Sequence, residues 1–340
     1  MMATGPTVEI GVPGDKVRVP RIGLGTMGMS AAFGPTNDEQ SLKVLERAID
    51  IGCTFWDTAD VYGIGHNEEL LSRILKDQRE KVFVSTKFGV VLRAPEESPP
   101  KVFSHYIVGY NGKREYVCES LHKSLERLGV DYVDLYIIGR IDHSTPLEET
   151  VGAMAELVKE GKIRYIGISE CTPEELRRAY KVHPIAAVEV EYSAWTLDIE
   201  TNGLLDACRE LGVTVIAYSP LGRGFLTGRV RSMGELDKED IRNNLDRFQP
   251  QNIDTNLRFV DALESMARKH NATAGQLALA WLLEQEKNLI VIPGTKKIKY
   301  LEENVGAGQI KLSDAELNEL RGLIDQANIQ GSRFRKQKSS

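Results

Sequence analysis

VDLYIIGRIDHSTPLEETV, residues 133–151, passes from an apolar run through a single glycine to a helix start. Val133–Ile138 is too short for a helix and nearly continuous in apolar character, as in a strand buried on both faces of a parallel sheet. Thr145 then Pro146 places a capping hydroxyl before a residue whose φ is preset for the first helical turn. Between strand and helix stands Gly139, at the strand end where a parallel α/β protein usually carries a reactive side chain.

The same unit recurs along the chain. The runs IGLGTM, CTFWDTA, KVFVSTKF, YVDLYII, IRYIGIS, AAVEVEYS, VTVIAYS and NLIVIPG are each followed by a helical pattern. Eight such units are the arithmetic of a closed (β/α)8 TIM barrel of the α/β class. Upstream, VEIGVPGDKVRVP reads as an N-terminal β-hairpin turning at Pro13-Gly14-Asp15 and covering one barrel end. Thr172 with Glu175, and Ser313 with Glu316, are capping-box pairs, the second opening an extra C-terminal helix. From Leu221 to about Asn256 the rhythm breaks at Gly222, Gly224, Gly228 and Gly234, which reads as a long loop of the kind that serves as a lid. The expected division is an N-terminal segment and hairpin start at 1–16, one barrel domain at 17–326, and a basic, flexible tail at 327–340.

The bulk numbers exclude several classes. The 340 residues are 41% hydrophobic and 27% charged, an ordinary globular composition. Lys plus Arg is 43 and Asp plus Glu is 49, so the net charge is −6 and nothing electrostatic favours nucleic acid as a partner. Cys53, Cys118, Cys171 and Cys208 are scattered without a Cys-x-x-Cys, which suits reduced thiols in a cytoplasmic protein and no metal site. MMATGPTVEIGVPGDK lacks a basic segment followed by an apolar run, so no secretory signal is expected. No stretch approaches the roughly 18 uninterrupted apolar residues of a membrane span. No coiled-coil repeat is legible, and the oligomeric state is open.

Gly23, Gly25 and Gly28 spell G-x-G-x-x-G, but helical periodicity begins only after Pro35, so the third glycine does not open a helix. The spacing favours a barrel strand ending close to a ligand over a dinucleotide fold.

Polar residues gather at the expected C-terminal strand ends. The second strand ends in Asp57, with Tyr62 five residues on; the third ends near Lys87. A lysine closing a buried strand needs a charged partner, and Asp57 is the candidate. An ammonium near a tyrosine favours the phenolate, and such a tyrosine can protonate a carbonyl oxygen. A structural ion pair beside a packed tyrosine is the competing reading.

The order G-L-G-T-M, D-x-x-x-x-Y-G, S-T-K, GISE, AYSPLGRGFLTG and IPGTKKIKYLEENVGA resembles the aldo-keto reductases over about residues 17–326. RIDHSTPLEET, AVEVEYS and LDIETNGLLDACRELGV are most similar to the fungal pyridoxal-reductase-like branch. The resemblance implies NADPH-dependent reduction of a small-molecule aldehyde or ketone, with Tyr62 as general acid and Lys87 and Asp57 as the pair that tunes it. It also implies a histidine where this chain has Gly139, before Arg140. His143, in the loop beyond, and His105, in the insertion after the third strand, are the candidates to replace it.

For NADPH/NADP+, the resemblance places Gly25, Thr26 and Met27 at the first strand end. Ser169, Glu170 and Glu189 fall around the nicotinamide carboxamide, with Glu189 where Gln is usual, and Tyr218 stacks on the ring. Ser219, Leu221, Gly222 and Arg223 form the pyrophosphate loop, and Gly294, Thr295, Lys296, Glu303 and Asn304 surround the adenosine. Tyr300 stands where relatives often have Arg. Two alternatives stay open: a redox-neutral isomerase, dehydratase or cyclase of a biosynthetic pathway, and a cofactor-binding, non-enzymatic subunit.

Overall fold

The computed structural model describes residues 5–30, 32–93 and 107–333. The chain opens with an antiparallel hairpin, β1 (Thr7–Val12) and β2 (Asp15–Pro20), which turns at Pro13-Gly14 as expected. β3 (Leu24–Gly25), β4 (Phe55–Asp57) and β5 (Phe83–Phe88) follow, each entered from the near-continuous apolar runs of the sequence. A small antiparallel hairpin then intervenes, β6 (Val90–Leu92) with β7 (Ile107–Tyr110). β8 (Val133–Ile138), β9 (Ile163–Ser169), β10 (Ala187–Glu191), β11 (Thr214–Tyr218) and β12 (Leu289–Val291) complete the set.

The eight strands β3, β4, β5, β8, β9, β10, β11 and β12 lie side by side in that order, all parallel. Bridges from Ile22 to Val291 and from Gly25 to Gly294 bring the first strand against the last and close the barrel. Closure depends on glycine: a Cβ at Gly25 would lie 2.7 Å from the Ile292 carbonyl oxygen. Within the G-x-G-x-x-G stretch Gly25 thus serves the seam, while a Cβ at Gly23 would meet the Phe55 carbonyl of β4 (2.7 Å), and the segment after Gly25 is a short 3-10 turn, Met27–Met29.

Strand alternation sorts the core. Trp56, Val84, Tyr136, Ile166, Val188 and Val215 face the surrounding helices. Phe55, Phe83, Leu135, Tyr165, Ala187, Ile216 and Ile290 point inward and pack with Ile10 and Val19 of the hairpin, which plugs the barrel floor. Climbing the inward face two residues at a time leads from Phe55 to Asp57, from Phe83 to Lys87, from Leu135 to Gly139, from Tyr165 to Ser169, and from Ala187 to Glu189. The apolar floor and the polar mouth are one alternation read at two heights.

Several expectations are corrected. The helix after β8 starts at Leu147 with Pro146 as its cap, and the Thr145 hydroxyl donates to Asp142 (2.7 Å) instead of capping. Asp142 also accepts from Ser144 and from Gly112 N, so the turn is organised by a carboxylate. The capping boxes at Thr172 and Ser313 form as expected. The long loop after β11 ends at Gln249, because Pro250 opens an 18-residue helix to Ala267. Residues 334–340 of the tail, and His105 with its neighbours, lie outside the described residues. No helix among the described residues is long and apolar enough to cross a membrane.

If the hairpin seals the floor, Ile10→Ala should cost about 2–5 kcal/mol by removing a fully buried side chain, read from denaturant unfolding. A loss below about 1 kcal/mol would show that the hairpin merely rests on the barrel.

Candidate active site

Lys87 stands on the inward face of β5, and its neighbours on β4 arrive by register, since Asp57 pairs with Ser85. Its Nζ donates to Asp57 Oδ2 (2.5 Å) and to the Thr58 carbonyl (2.9 Å), and lies 3.4 Å from Glu189 Oε2 across the barrel. Burial works against the ammonium's charge, but Asp57 and Glu189 together hold it above its ordinary range. Tyr62, in the turn after β4, hydrogen-bonds Lys87, whose Nζ is 5.3 Å from the ring centroid. Burial lifts the phenol above its ordinary range; Lys87 opposes the rise, and Asp57 and Glu189 add to it. Lys87 favours the phenolate, as expected, but burial outweighs it, and Tyr62 rests as a neutral phenol with a cation beside it. That arrangement keeps a proton ready and stabilises the phenolate only as the proton leaves.

Gly139 faces the same space. Its N–H donates to the Phe88 carbonyl oxygen (2.7 Å), and a Cβ at 139 would lie 2.9 Å from that oxygen and 3.5 Å from Lys87 Cβ. No side chain fits here unless the ends of β5 and β8 part. His143 does not compensate: it is exposed, 3.6 Å from Glu175. Among the described residues no histidine lines the cavity.

That cavity, about 590 Å³, spans the barrel mouth from Val90 and Tyr110 to Tyr300 and Asn304. Of the expected residues, Asp57, Tyr62, Lys87, Gly25, Met27, Ser169, Glu189, Tyr218, Ser219, Leu221, Arg223, Gly294, Thr295, Lys296 and Asn304 line it. Thr26, Glu170, Gly222 and Glu303 do not. The Thr26 hydroxyl turns inward to Asn67 Oδ1 and the Asp57 carbonyl. Glu303 receives Arg229 and the Thr273 hydroxyl. Gly222, at φ +58, is covered by Trp195. Lys296 lines the wall but is engaged, donating to the Phe33 and Pro35 carbonyls (2.8 and 2.9 Å).

Glu170 belongs to a polar network beside the cavity. Its Oε1 accepts from Tyr218 OH (2.8 Å), Glu191 N (3.1 Å) and Arg333 Nη2 (2.8 Å). Burial opposes its charge, but Arg333 and Tyr218 hold Glu170 below the usual carboxylate range. Glu191 takes Arg223 through both oxygens and Arg333 through one. Ser219 and Arg223, at φ 48° and 56°, are left-handed without being glycine, and the bond to Glu191 holds Arg223 there.

Sequence reasoning missed Asn67, Asp60, Arg229 and Arg333. Asn67 is a buried hub joining Thr26, Ser30 and Thr58. Asp60 lines the cavity, and burial with the Glu68 carboxylate pushes it up to about 8. Arg229 lies over the Tyr300 ring, 3.4 Å from its centroid, so a loop cation covers the position where the expected arginine is absent. Only Asp60 carried a signal, as the second acid of FWDTADVYG.

Residues 21–325 match the model of the aldo/keto reductase family. The chain is 44% identical over 333 residues to a Schizosaccharomyces pombe protein named as the NADP(+) aldo-keto reductase yakc, covering 97% of this chain and 94% of that one. It is 47% identical over 339 residues to aldo-keto reductase str7 of Strobilurus tenacellus, covering 96% and 94%. The glycerol dehydrogenase AKR11B4 from Gluconobacter oxydans superposes with a TM-score of 0.84 at 28% identity, over 97% of this chain and 98% of that one. An aldo-keto reductase from Klebsiella pneumoniae solved with NADPH gives 0.71 at 28% identity, over 96% and 98%.

Because the obstacle at Gly139 is backbone, Gly139→Ala should destabilise by about 1–3 kcal/mol in urea unfolding. A change within about 0.5 kcal/mol would show that the strand ends yield freely.

Proposed function

The chain belongs to the aldo/keto reductase family, and from that premise we propose that it is an NADPH-dependent reductase of aldehydes or ketones. One observation carries the reading: a neutral, half-buried phenol, Tyr62, hydrogen-bonded to an ammonium, Lys87, that Asp57 pins at the floor of a cleft.

The residues present fit the cofactor. At the barrel centre Glu189 Oε2 is buried with no hydrogen-bond partner, an orphan that calls for a ligand group. Tyr218, half-buried on β11, offers a ring to the cavity, and its hydroxyl is fixed by Glu170. The turn Ser219–Gly224 borders the cavity with Ser219, Leu221, Arg223 and Gly224, the stretch we assign to the pyrophosphate, although the Gly222 and Gly224 N–H groups are committed to the Ser219 and Leu221 carbonyls. At the far end Arg229, Lys297 and Tyr300 line the cleft with cations on an aromatic face, a setting for the adenosine 2′-phosphate.

When bound, NADPH supplies the hydride. Tyr62 donates its proton to the carbonyl oxygen, and Lys87 stabilises the phenolate left behind. Asp57 keeps Lys87 charged and aimed, and the buried floor excludes water. Val90, Ile107 and Tyr110 make the opposite wall apolar and aromatic, which favours an apolar or aromatic carbonyl, pyridoxal being one candidate from branch similarity. A cavity without a histidine among the described residues favours a second reading, redox-neutral isomerisation, dehydration or cyclisation. Net NADPH consumption separates the two.

The purified protein should oxidise NADPH saturably with members of a carbonyl panel that includes pyridoxal, and Tyr62→Phe should lower kcat by about 10²–10⁴ with KM little changed. Full activity in Tyr62→Phe would remove the phenol as the acid, and product without NADPH loss would favour redox-neutral chemistry.

A further inference from the structure

Lys87 is flanked by two carboxyl groups, and they are unequally served. All three side chains are buried. The ammonium donates to Asp57 at 2.5 Å and to the Thr58 carbonyl at 2.9 Å, and Tyr62 hydrogen-bonds it as well. Asp57 has a second donor, the Ser85 hydroxyl (3.1 Å). Glu189 Oε2 stands farther from the ammonium, at 3.4 Å, a charge contact too poorly aligned to satisfy that oxygen.

One buried ammonium balances one carboxylate. A second, sharing that ammonium only at longer range and facing the first, is more stable as the acid. The elements around Glu189 supply no other remedy. On the strands beside it, Ser169 and Ile216 pair with it in register and neither titrates. Arg140, at the end of β8, attracts it from a distance but places Nη1 on the Gly139 carbonyl (2.6 Å) and the Ser169 hydroxyl (3.3 Å). Tyr62 is neutral and repels a negative Glu189 when ionised. Burial and Asp57 raise the Glu189 carboxyl above the usual carboxylate range against the opposing pull of Lys87 and Arg140.

A neutral carboxyl offers one O–H donor and one carbonyl acceptor, the pair that an amide side chain offers; a carboxylate only accepts. Glu189 lines the cavity. We propose that Glu189 stands in the wall as a neutral acid and donates its O–H to the carboxamide oxygen at the nicotinamide end of the cofactor, so that NADPH binding is linked to one proton. This rests on the NADPH reading above. Ionisation of Glu189 removes the donor and leaves a second carboxylate, sharing Lys87 with Asp57, against the ring. The oxidised ring is cationic, so the same charge harms NADP+ less. Affinity for NADPH is therefore full at neutral pH and falls as pH rises through the raised pKa, by about tenfold per pH unit.

The test is the Kd of NADPH, read from quenching of tryptophan fluorescence between about pH 7 and about pH 9.5, for the unmodified protein and for Glu189→Gln; in that range the 2′-phosphate no longer titrates. The unmodified protein should weaken with pH, more for NADPH than for NADP+, while Glu189→Gln keeps its neutral-pH Kd within about threefold across the range. Calorimetry of the unmodified protein at alkaline pH, in two buffers of different ionisation enthalpy, should show uptake of about one proton on NADPH binding, whether or not the variant folds. Tight NADPH binding with no pH response, or with zero proton uptake, overturns the proposal and leaves the cofactor reading standing. The same pH response in Glu189→Gln also overturns it. Absence of NADPH binding at any pH sinks the cofactor reading and this proposal together.

Discussion

A primary ammonium closed inside the barrel is the constraint around which the mouth of this protein is arranged. Lys87 cannot be buried alone, and the nearest strand answers it: the β4–β5 register sets Asp57 beside Ser85, within reach of Nζ. The Thr58 carbonyl follows Asp57 directly, and the turn that carries Tyr62 returns its hydroxyl to the same ammonium. Beneath this lies a second buried charge pair. Glu68 is wholly buried, accepts from the Thr86 hydroxyl (2.7 Å), and is held by Arg127 (2.7 Å). Thr86 precedes Lys87 and points outward where Lys87 points inward, so the two ion pairs brace opposite faces of one strand.

The far side of the mouth is tied by the chain's end. The segment after the last helix returns across the barrel, fastened where Gln330 exchanges hydrogen bonds with Asn256 (2.8 and 3.0 Å). It delivers Arg333 between Glu170 and Glu191. Glu170 occupies a left-handed backbone position, φ 55°, that a non-glycine residue adopts at a cost. Three donors on one oxygen hold it there, and one of them is the Tyr218 hydroxyl. The orientation of an aromatic ring over the cleft thus depends on an arginine 115 residues further along the chain.

Much of the fold was legible because its signals are local. Strand runs, capping boxes and the hairpin turn need only neighbours along the chain, and they appeared where the pattern put them. Thr145 misled because the competing acceptor was close by: Asp142, three residues away, captured its hydroxyl. Of the site, the strand-end acids, Lys87 and Tyr62 were legible because a parallel barrel sends its strand ends to one rim. Thr26 and Glu170 were assigned to the cleft by position, yet their side chains turn to Asn67 and Arg333, partners 41 and 163 residues away. Hydrogen-bond competition of that kind leaves no trace in spacing.

The amino-acid sequence by itself determined the eightfold alternation, the rim on which the chemistry sits, and the presence of an acid, a lysine and a tyrosine there. These follow from side-chain periodicity and from the cost of burying an unpartnered charge, both of which are properties of short segments. Only the tertiary structure decided how protons and space are shared out. It set two carboxyls against one ammonium, so that Asp57 keeps the close contact at 2.5 Å and Glu189 only a longer one at 3.4 Å. It brought the Phe88 carbonyl so near Gly139 that no side chain fits. Both outcomes are distances across the barrel, set by closure of a sheet, and closure is a property of all eight strands at once.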